Sequence, residues 1–253
     1  MRIDLNADVG ESFGAYTIGH DAGLMTSITS ANIAAGFHGG DPSVLRATIR
    51  LAASHRVAIG AHPGLPDLAG FGRRELHVTP EEAEDFVLYQ IAAVAGVAAA
   101  EGETIRHVKA HGALFNMAAR DTALAAALAR AVAAFDRSLV LFASPGSAMV
   151  DAARTLGLPV ALEAFADRAY EADGRLASRQ KAGAVIHDPH TVVARAVRMA
   201  TDRSVVSLDG TVLPIGADTM CVHSDTPGAD RLAARIRSAL EAAGVTVKAF
   251  GAA

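Results

Sequence analysis

The sequence predicts an α/β fold, a barrel of seven parallel strands with helices outside it, and three observations predict it. Short β-rich runs alternate with longer stretches of helical period from the N-terminus to about residue 240, the order that builds a parallel sheet. The apolar content, 51% of 253 residues, is carried by Ala, Val, Leu and Ile, with aromatics at only 5%, which suits short helices packed closely on a sheet. Finally, the ionisable residues of the strands gather at their C-terminal ends, where a parallel barrel builds its active site. No Pro/Gly/Ser linker, low-complexity tract or repeated block divides the chain, so one domain over residues 1–253 is expected.

Each element follows in order. The first strand, Ile3 to Val9, places Asn6 and Asp8 on one face by period-two alternation, with Glu11 just beyond. The second, Asn32 to Phe37, ends at His38, after which Asp41-Pro42 sets a capping carboxylate before a helix-starting proline. The third, Val57 to His62, ends in His62-Pro63. Thr79-Pro80 with Glu82 three residues on is a capping box. The Ala-rich stretch from Ile91 to Ala100, behind Glu81, Glu82, Glu84 and Asp85, is too short to span a bilayer and predicts an ordinary helix. The fourth strand, Ile105 to His111, carries His107, Lys109 and His111 on one face. Leu139 to Ser144 is the fifth, and Val160 to Phe165 the sixth, leading to Asp167 and Arg168. The polar segment from Asp167 to Gly183 and the hairpin signal Asp209-Gly210 predict insertions on the barrel rim. Asp188-Pro189 and Thr226-Pro227 announce two more helices, and the seventh strand, Met220 to His223, leads to Asp225.

A formal net charge of −4 gives no general attraction to phosphate backbones or anionic lipid surfaces, which disfavours nucleic acid and membrane partners. One cysteine, Cys221, cannot form an internal disulfide, and the expected compartment is the reducing cytoplasm. Asp4, Asp8 and Glu11 interrupt the N-terminal segment before any signal-peptide apolar run can form.

Burying unpaired charges inside a barrel costs on the order of several kcal/mol each, so their gathering at one end points to a functional mouth. The candidate catalytic residues are Asp8, His38, His62, Lys109 and His111. The candidate substrate contacts are Asn6, Glu11, Asp41, Asp167, Arg168 and His223. Bland roles compete with some of these: Asp41, Asp188 and Asp225 explain themselves as helix caps, and Glu11 as the partner of a surface arginine. His107, one layer deeper, suits a satisfied core residue, and Arg73 and Arg74 a solvated loop. Asp8, His38 and His62 could also ligate a divalent metal from separate strands, although no His-Glu-x-x-His motif is present. No Gly-x-x-x-x-Gly-Lys-[Ser/Thr] loop or dinucleotide fingerprint occurs either.

Six ordered blocks carry a resemblance: Asp4 to Glu11 (DLNADVGE), Ser30 to Asp41 (SANIAAGFHGGD), Gly60 to Gly64 (GAHPG), His107 to Asn116 (HVKAHGALFN), Glu163 to Tyr170 (EAFADRAY) and Cys221 to Thr226 (CVHSDT). Together they resemble the LamB/YcsF family, named for lactam utilisation. The chain departs from the family pattern at Ala35, in place of Cys, at Leu65 and Phe115, in place of Tyr, at Ala110, in place of Pro, and at Ser224, in place of Gly. None of these removes an ionisable candidate, and Ala35 argues against a thiol nucleophile there. The resemblance implies a seven-stranded barrel similar to the glycoside hydrolase and polysaccharide deacetylase barrel. It also implies the role of the A component of an ATP-dependent 5-oxoprolinase, which opens 5-oxoproline to glutamate with partner subunits B and C, the latter handling or helping to handle ATP. In that reaction Asp8, His38 or His62 is the expected base, and Lys109 steadies the oxyanion or the leaving phosphate. Two other functions stay open: a stand-alone metal-dependent deacetylase or amide hydrolase, and a non-catalytic lactam-binding component. Oligomeric state, a homo-oligomer included, is open as well.

Overall fold

The computed structural model describes residues 1–250. Its first half runs β1 (Arg2–Val9), α1 (Asp21–Leu24), β2 (Ser30–Ala34), α2 (Pro42–Ser54), β3 (Ala58–His62), α3 (Pro80–Ala100), β4 (Ile105–Lys109), α4 (Gly112–Arg120) and α5 (Thr122–Phe135). The second half runs β5 (Val140–Ala143), α6 (Ala148–Thr155), β6 (Val160–Phe165), α7 (Pro189–Thr201), β7 (Ser204–Val206), β8 (Val212–Pro214), β9 (Thr219–His223), α8 (Ala229–Ala242) and β10 (Thr246–Val247). Strands β1 to β6 pair in sequence order, and β9 joins β6 to β1, so seven parallel strands close into a barrel. The two-residue β10 extends the sheet beside the start of β1.

The inside of this barrel is polar, which follows from the alternation of β1. Ile3, Leu5, Ala7 and Val9 belong to the apolar core under the helices, so Asp4, Asn6 and Asp8 take the other face. Polar groups removed from water must be hydrogen-bonded, and the neighbouring strands supply the partners. Asp4 accepts from Thr29, Ser30 and Thr219 hydroxyls at 2.6, 2.7 and 2.5 Å. Asn6 Nδ2 donates to Thr219 Oγ1 at 2.7 Å and to Glu163 Oε1 at 3.0 Å, while its Oδ1 accepts from Asn32 at 2.7 Å. His107 Nε2 donates to Asn32 Oδ1 at 2.8 Å, and its ring stacks on Phe142 with centroids 4.3 Å apart. A Cβ on Gly60 would lie 2.2 Å from that ring nitrogen, so glycine is what lets His107 fill the interior. Burial holds the His107 imidazole down at a pKa of about 3, a neutral core residue.

Several local expectations hold and several shift. Asp41, Asp188 and the Thr79/Glu82 capping box all cap helices. Thr226 does not: α8 starts at Ala229, preceded by Gly228 with no side-chain cap. Strand β2 stops at Ala34, short of Phe37, because Gly36 turns at φ +96° and its N–H bonds to the Gly39 carbonyl. Helix α3 is 21 residues, long and apolar enough by composition to cross a membrane, which corrects the expectation of a short stretch. Here its Val87, Ile91 and Val94 face is buried, against β3 and α5. Residues 167–183 lie on the rim with only isolated bridges, and Asp209-Gly210 turns the β7–β8 hairpin.

Candidate active site

Above the polar layers, the C-terminal ends of the strands converge on Asp8. Lys109, on β4, points into the barrel with Nζ 2.7 Å from Asp8 Oδ1, 3.0 Å from Glu163 Oε1 and 2.9 Å from Cys221 Sγ. Burial alone would neutralise this lysine. The Asp8 charge outweighs burial, with help from Glu163, and holds its pKa well above the ordinary value. Asp8 is the reciprocal case: burial raises its pKa, but His62 and Lys109 beside it outweigh burial and keep the carboxyl well below its usual range. Glu163 is raised, burial prevailing over Lys109. Cys221 is raised well above an ordinary thiol, first by burial and then by Asp8, so no thiolate nucleophile is available there.

Beside this pair stand three histidines, two of them with an orientation that the backbone fixes. His62 Nδ1 lies 2.7 Å from the Lys109 carbonyl and His111 Nε2 lies 2.8 Å from the Phe71 carbonyl. A carbonyl only accepts, so both nitrogens carry protons. The remaining nitrogens, His62 Nε2 and His111 Nδ1, therefore face each other at 3.0 Å, with Asp8 Oδ1 3.4 Å from the former. The third, His38, stacks flat on His111 with centroids 3.7 Å apart. Burial, then the neighbouring histidines, pushes His38 and His111 well below the ordinary imidazole range. Glu11 Oε1 sits 3.3 Å from His38 Nε2 and 3.5 Å from His111 Nδ1, yet neither it nor either His38 ring nitrogen has a hydrogen-bond partner among the described residues. Burial, followed by the Asp8 charge, raises the Glu11 carboxyl well above its usual value. Glu11, His38, His62 and His111 thus offer four donor atoms within 4.8 Å of one another, a set that could hold a metal ion.

A cavity of about 940 Å³ opens over this floor, and Asp8, His62, Lys109, His111, Arg168 and His223 line it. His38 and Glu11 lie behind His62 and His111. Asn6 sits one layer below, where it braces Glu163 and lies 3.4 Å from Lys109 Nζ, so the structure makes it a support and not a substrate contact. Asp167 accepts from His223 Nδ1 at 2.7 Å and so orients that ring at the cavity edge. Asp41 is elsewhere: its exposed carboxylate accepts from the Ser43, Val44 and Gly14 amides, and this capping work corrects its assignment to substrate. Sequence reasoning missed Glu163 and Asn32. A carboxylate in the otherwise apolar run Val160–Phe165 was the available signal for the first.

Comparisons with known proteins agree with this architecture. The LamB/YcsF family matches residues 3–253. A protein of Heliobacterium modesticaldum, named as the A component of 5-oxoprolinase, is 55% identical over 98% of each chain. One of the same name from Bordetella pertussis is 53% identical over 98% of each. The crystal structure of a lactam utilization protein from Thermus thermophilus superimposes with a TM-score of 0.94, at 50% identity, covering 99% of this chain and 100% of that one.

Proposed function

The chain belongs to the LamB/YcsF family, and from that premise we propose that the floor of its barrel cavity is where the lactam ring of 5-oxoproline is opened to glutamate. Full-length relatives above 50% identity carry the name of the 5-oxoprolinase A component, and the activity is a hydrolase reaction on a cyclic amide. The observation that supports this reading best is that one oxygen, Asp8 Oδ1, is gripped by Lys109 Nζ and approached by His62 Nε2 at the cavity floor.

A lactam is a resonance-stabilised amide, so hydrolysis needs an activated water and a cation where negative charge develops. Among the described residues Lys109 is the only lysine lining the cavity, and its ammonium is the group for that charge. Asp8, paired with Lys109, attracts a proton weakly; its charge, 3.4 Å from His62 Nε2, favours the imidazolium that forms when that nitrogen takes a proton. His38 lies behind the cavity wall. His62, which lines the cavity and has its Nδ1 proton tied to a carbonyl, is therefore the base. ATP supplies the driving force by phosphorylating the lactam oxygen, and because no nucleotide loop occurs in this chain, partner subunits B and C handle the nucleotide. A cytoplasmic location goes with this reading, supported by a lone buried cysteine. The test is ATP-dependent glutamate release from 5-oxoproline, with this chain alone, with subunits B and C, and with His62→Asn in the assembly. Only the complete assembly should turn over, and His62→Asn should lower the rate about 100-fold or more. Full activity of the His62→Asn assembly would sink this assignment.

One observation favours a second reading of the same cluster. Two backbone carbonyls force unprotonated nitrogens of His62 and His111 together beside the unpartnered Glu11 Oε1. Either a proton is shared between the rings or a divalent cation lies among Glu11, His38, His62 and His111, where it would acidify a water. Metal analysis of the purified chain, before and after dialysis against a chelator, separates the two.

A further inference from the structure

Six arginines line the cavity, and four of them have a carboxylate of their own. Arg73 pairs with Asp225 at 2.7 Å, Arg120 with Glu75 at 2.6 Å, Arg175 with Asp173 at 2.5 Å, and Arg74 with Asp67. Arg168 and Arg179 form no ion pair among the described residues. Arg168 is buried; its Nη2 donates to the Ala177 carbonyl at 2.6 Å and its Nε has no partner. Burial, then repulsion from Arg179, holds the Arg168 pKa down at about 10, and Arg179 is lowered by burial and by Arg73. Both remain cationic at neutral pH. The compensating charges are Asp167 for Arg168, and Asp225 then Asp167 for Arg179; Asp225 is paired with Arg73, and Asp167 is held by His223 through Oδ2, its Oδ1 meeting no partner among the described residues.

Two guanidiniums facing a cavity without carboxylates of their own leave a wall that is complementary to a planar oxyanion, the ligand their fixed donor geometry matches best. Both belong to the rim segment and line the same cavity as Lys109, so a single small ligand can meet the wall and the floor together. Building on the reading that the floor opens a lactam, we propose that Arg168 and Arg179 form a subsite for the carboxylate of the substrate, which restricts the enzyme to lactams bearing an acid group. A phosphate would answer to the same donors, so the test separates the two sources.

Arg179 has no side-chain partner among the described residues, and its removal spares the fold; Arg168→Met is the second variant. In the assembled enzyme, Arg179→Met should lower kcat/KM for 5-oxoproline about ten- to hundredfold, the loss of one charged hydrogen bond. Inhibition by 2-pyrrolidinone, the same ring without the carboxylate, should be unchanged, and the control Arg120→Met should leave 5-oxoproline kinetics as they are. Calorimetry with 5-oxoproline and with inorganic phosphate accompanies the kinetics. Unaltered kcat/KM in Arg179→Met, equal loss of 2-pyrrolidinone inhibition, or Arg179-dependent binding of phosphate but not of 5-oxoproline would overturn the carboxylate subsite. An Arg179-dependent preference for 5-oxoproline that persists while His62→Asn keeps full activity would instead uphold the subsite and refute the floor chemistry.

Discussion

Replacing Lys109 by methionine tests the centre of the site, because it removes the charge while keeping most of the volume. The ammonium lies 2.7 Å from Asp8 Oδ1 and 3.0 Å from Glu163 Oε1, and all three groups are buried. Removing one partner of a buried ion pair costs about 3–5 kcal/mol, because the remaining charge is left unpaired. For a chain of this size each kcal/mol moves the melting temperature by roughly 2–4 °C, so the variant should melt about 6–20 °C lower at neutral pH. A total stability above about 5 kcal/mol, within the ordinary range of about 5–15 kcal/mol, leaves it folded at 25 °C. The pH dependence has a definite sign. With the cation gone, Glu163 is raised further above its unfolded value and Asp8 loses the second of the groups that hold it low, so both folded-state pKa values rise relative to wild type, a destabilisation fully present above those values and relieved as pH falls. Wild-type Asp8, held low, contributes stability above its unfolded pKa that is lost as pH falls through its folded one. The gap between variant and wild type therefore narrows in acid. Adding Glu163→Gln, which removes one unpaired charge and keeps the Asn6 contact, should recover about 1–3 kcal/mol. Neither variant should release glutamate above roughly 1% of the wild-type rate in the assembled enzyme, given the size of an oxyanion-stabilising interaction. Calorimetric melting across pH with the glutamate assay decides it. A melting point within about 2 °C of wild type, a double variant no more stable than the single one, or retained turnover would refute the reasoning.

Gly60→Ala should destabilise the fold by about 1–3 kcal/mol or more in urea unfolding, because its Cβ would lie 2.2 Å from the buried His107 ring. Asp41→Ala should melt earlier, from loss of the cap on α2, with steady-state kinetics unchanged; a raised KM would return Asp41 to the substrate site. Thr219→Val leaves Asp4 Oδ2 and Asn6 Nδ2 without their shared hydroxyl and should cost about 1–3 kcal/mol in stability, with a measurable fall in turnover despite its depth below the cavity.

What the sequence made legible was local. Period-two alternation put Asn6 and Asp8 on one face of β1, residue types before proline marked three of the four proposed caps, and polar strand ends located the mouth. What stayed hidden depends on closure of the barrel. Glu163 on β6 becomes a partner of Lys109 on β4 only because the sheet curls shut, with β9 between β6 and β1, and both side chains enter the same interior, and Arg179 counts only because the rim segment folds back over the cavity. Asp41 misled because a carboxylate before a helix-starting proline, close after His38, suits a cap and a site equally well until its neighbours are known. His111 lies past the end of β4 and still joins the cluster, because its backbone N–H is held by the Pro63 carbonyl.

The polar interior explains how so many ionisable groups hold one geometry. Thr219 Oγ1 donates to Asp4 and accepts from Asn6; Asn6 reaches Glu163; Glu163 and Asp8 share Lys109; and the Lys109 carbonyl fixes the His62 ring. Each link restricts the next, so the orientation of His62 is set by contacts that begin two layers below it. Such a network is costly if any member loses its partner, which is why conservative changes deep in the barrel should act on chemistry at its mouth. It also means the base and the cation need little reorganisation when substrate arrives, the condition under which fixed dipoles stabilise a developing charge most.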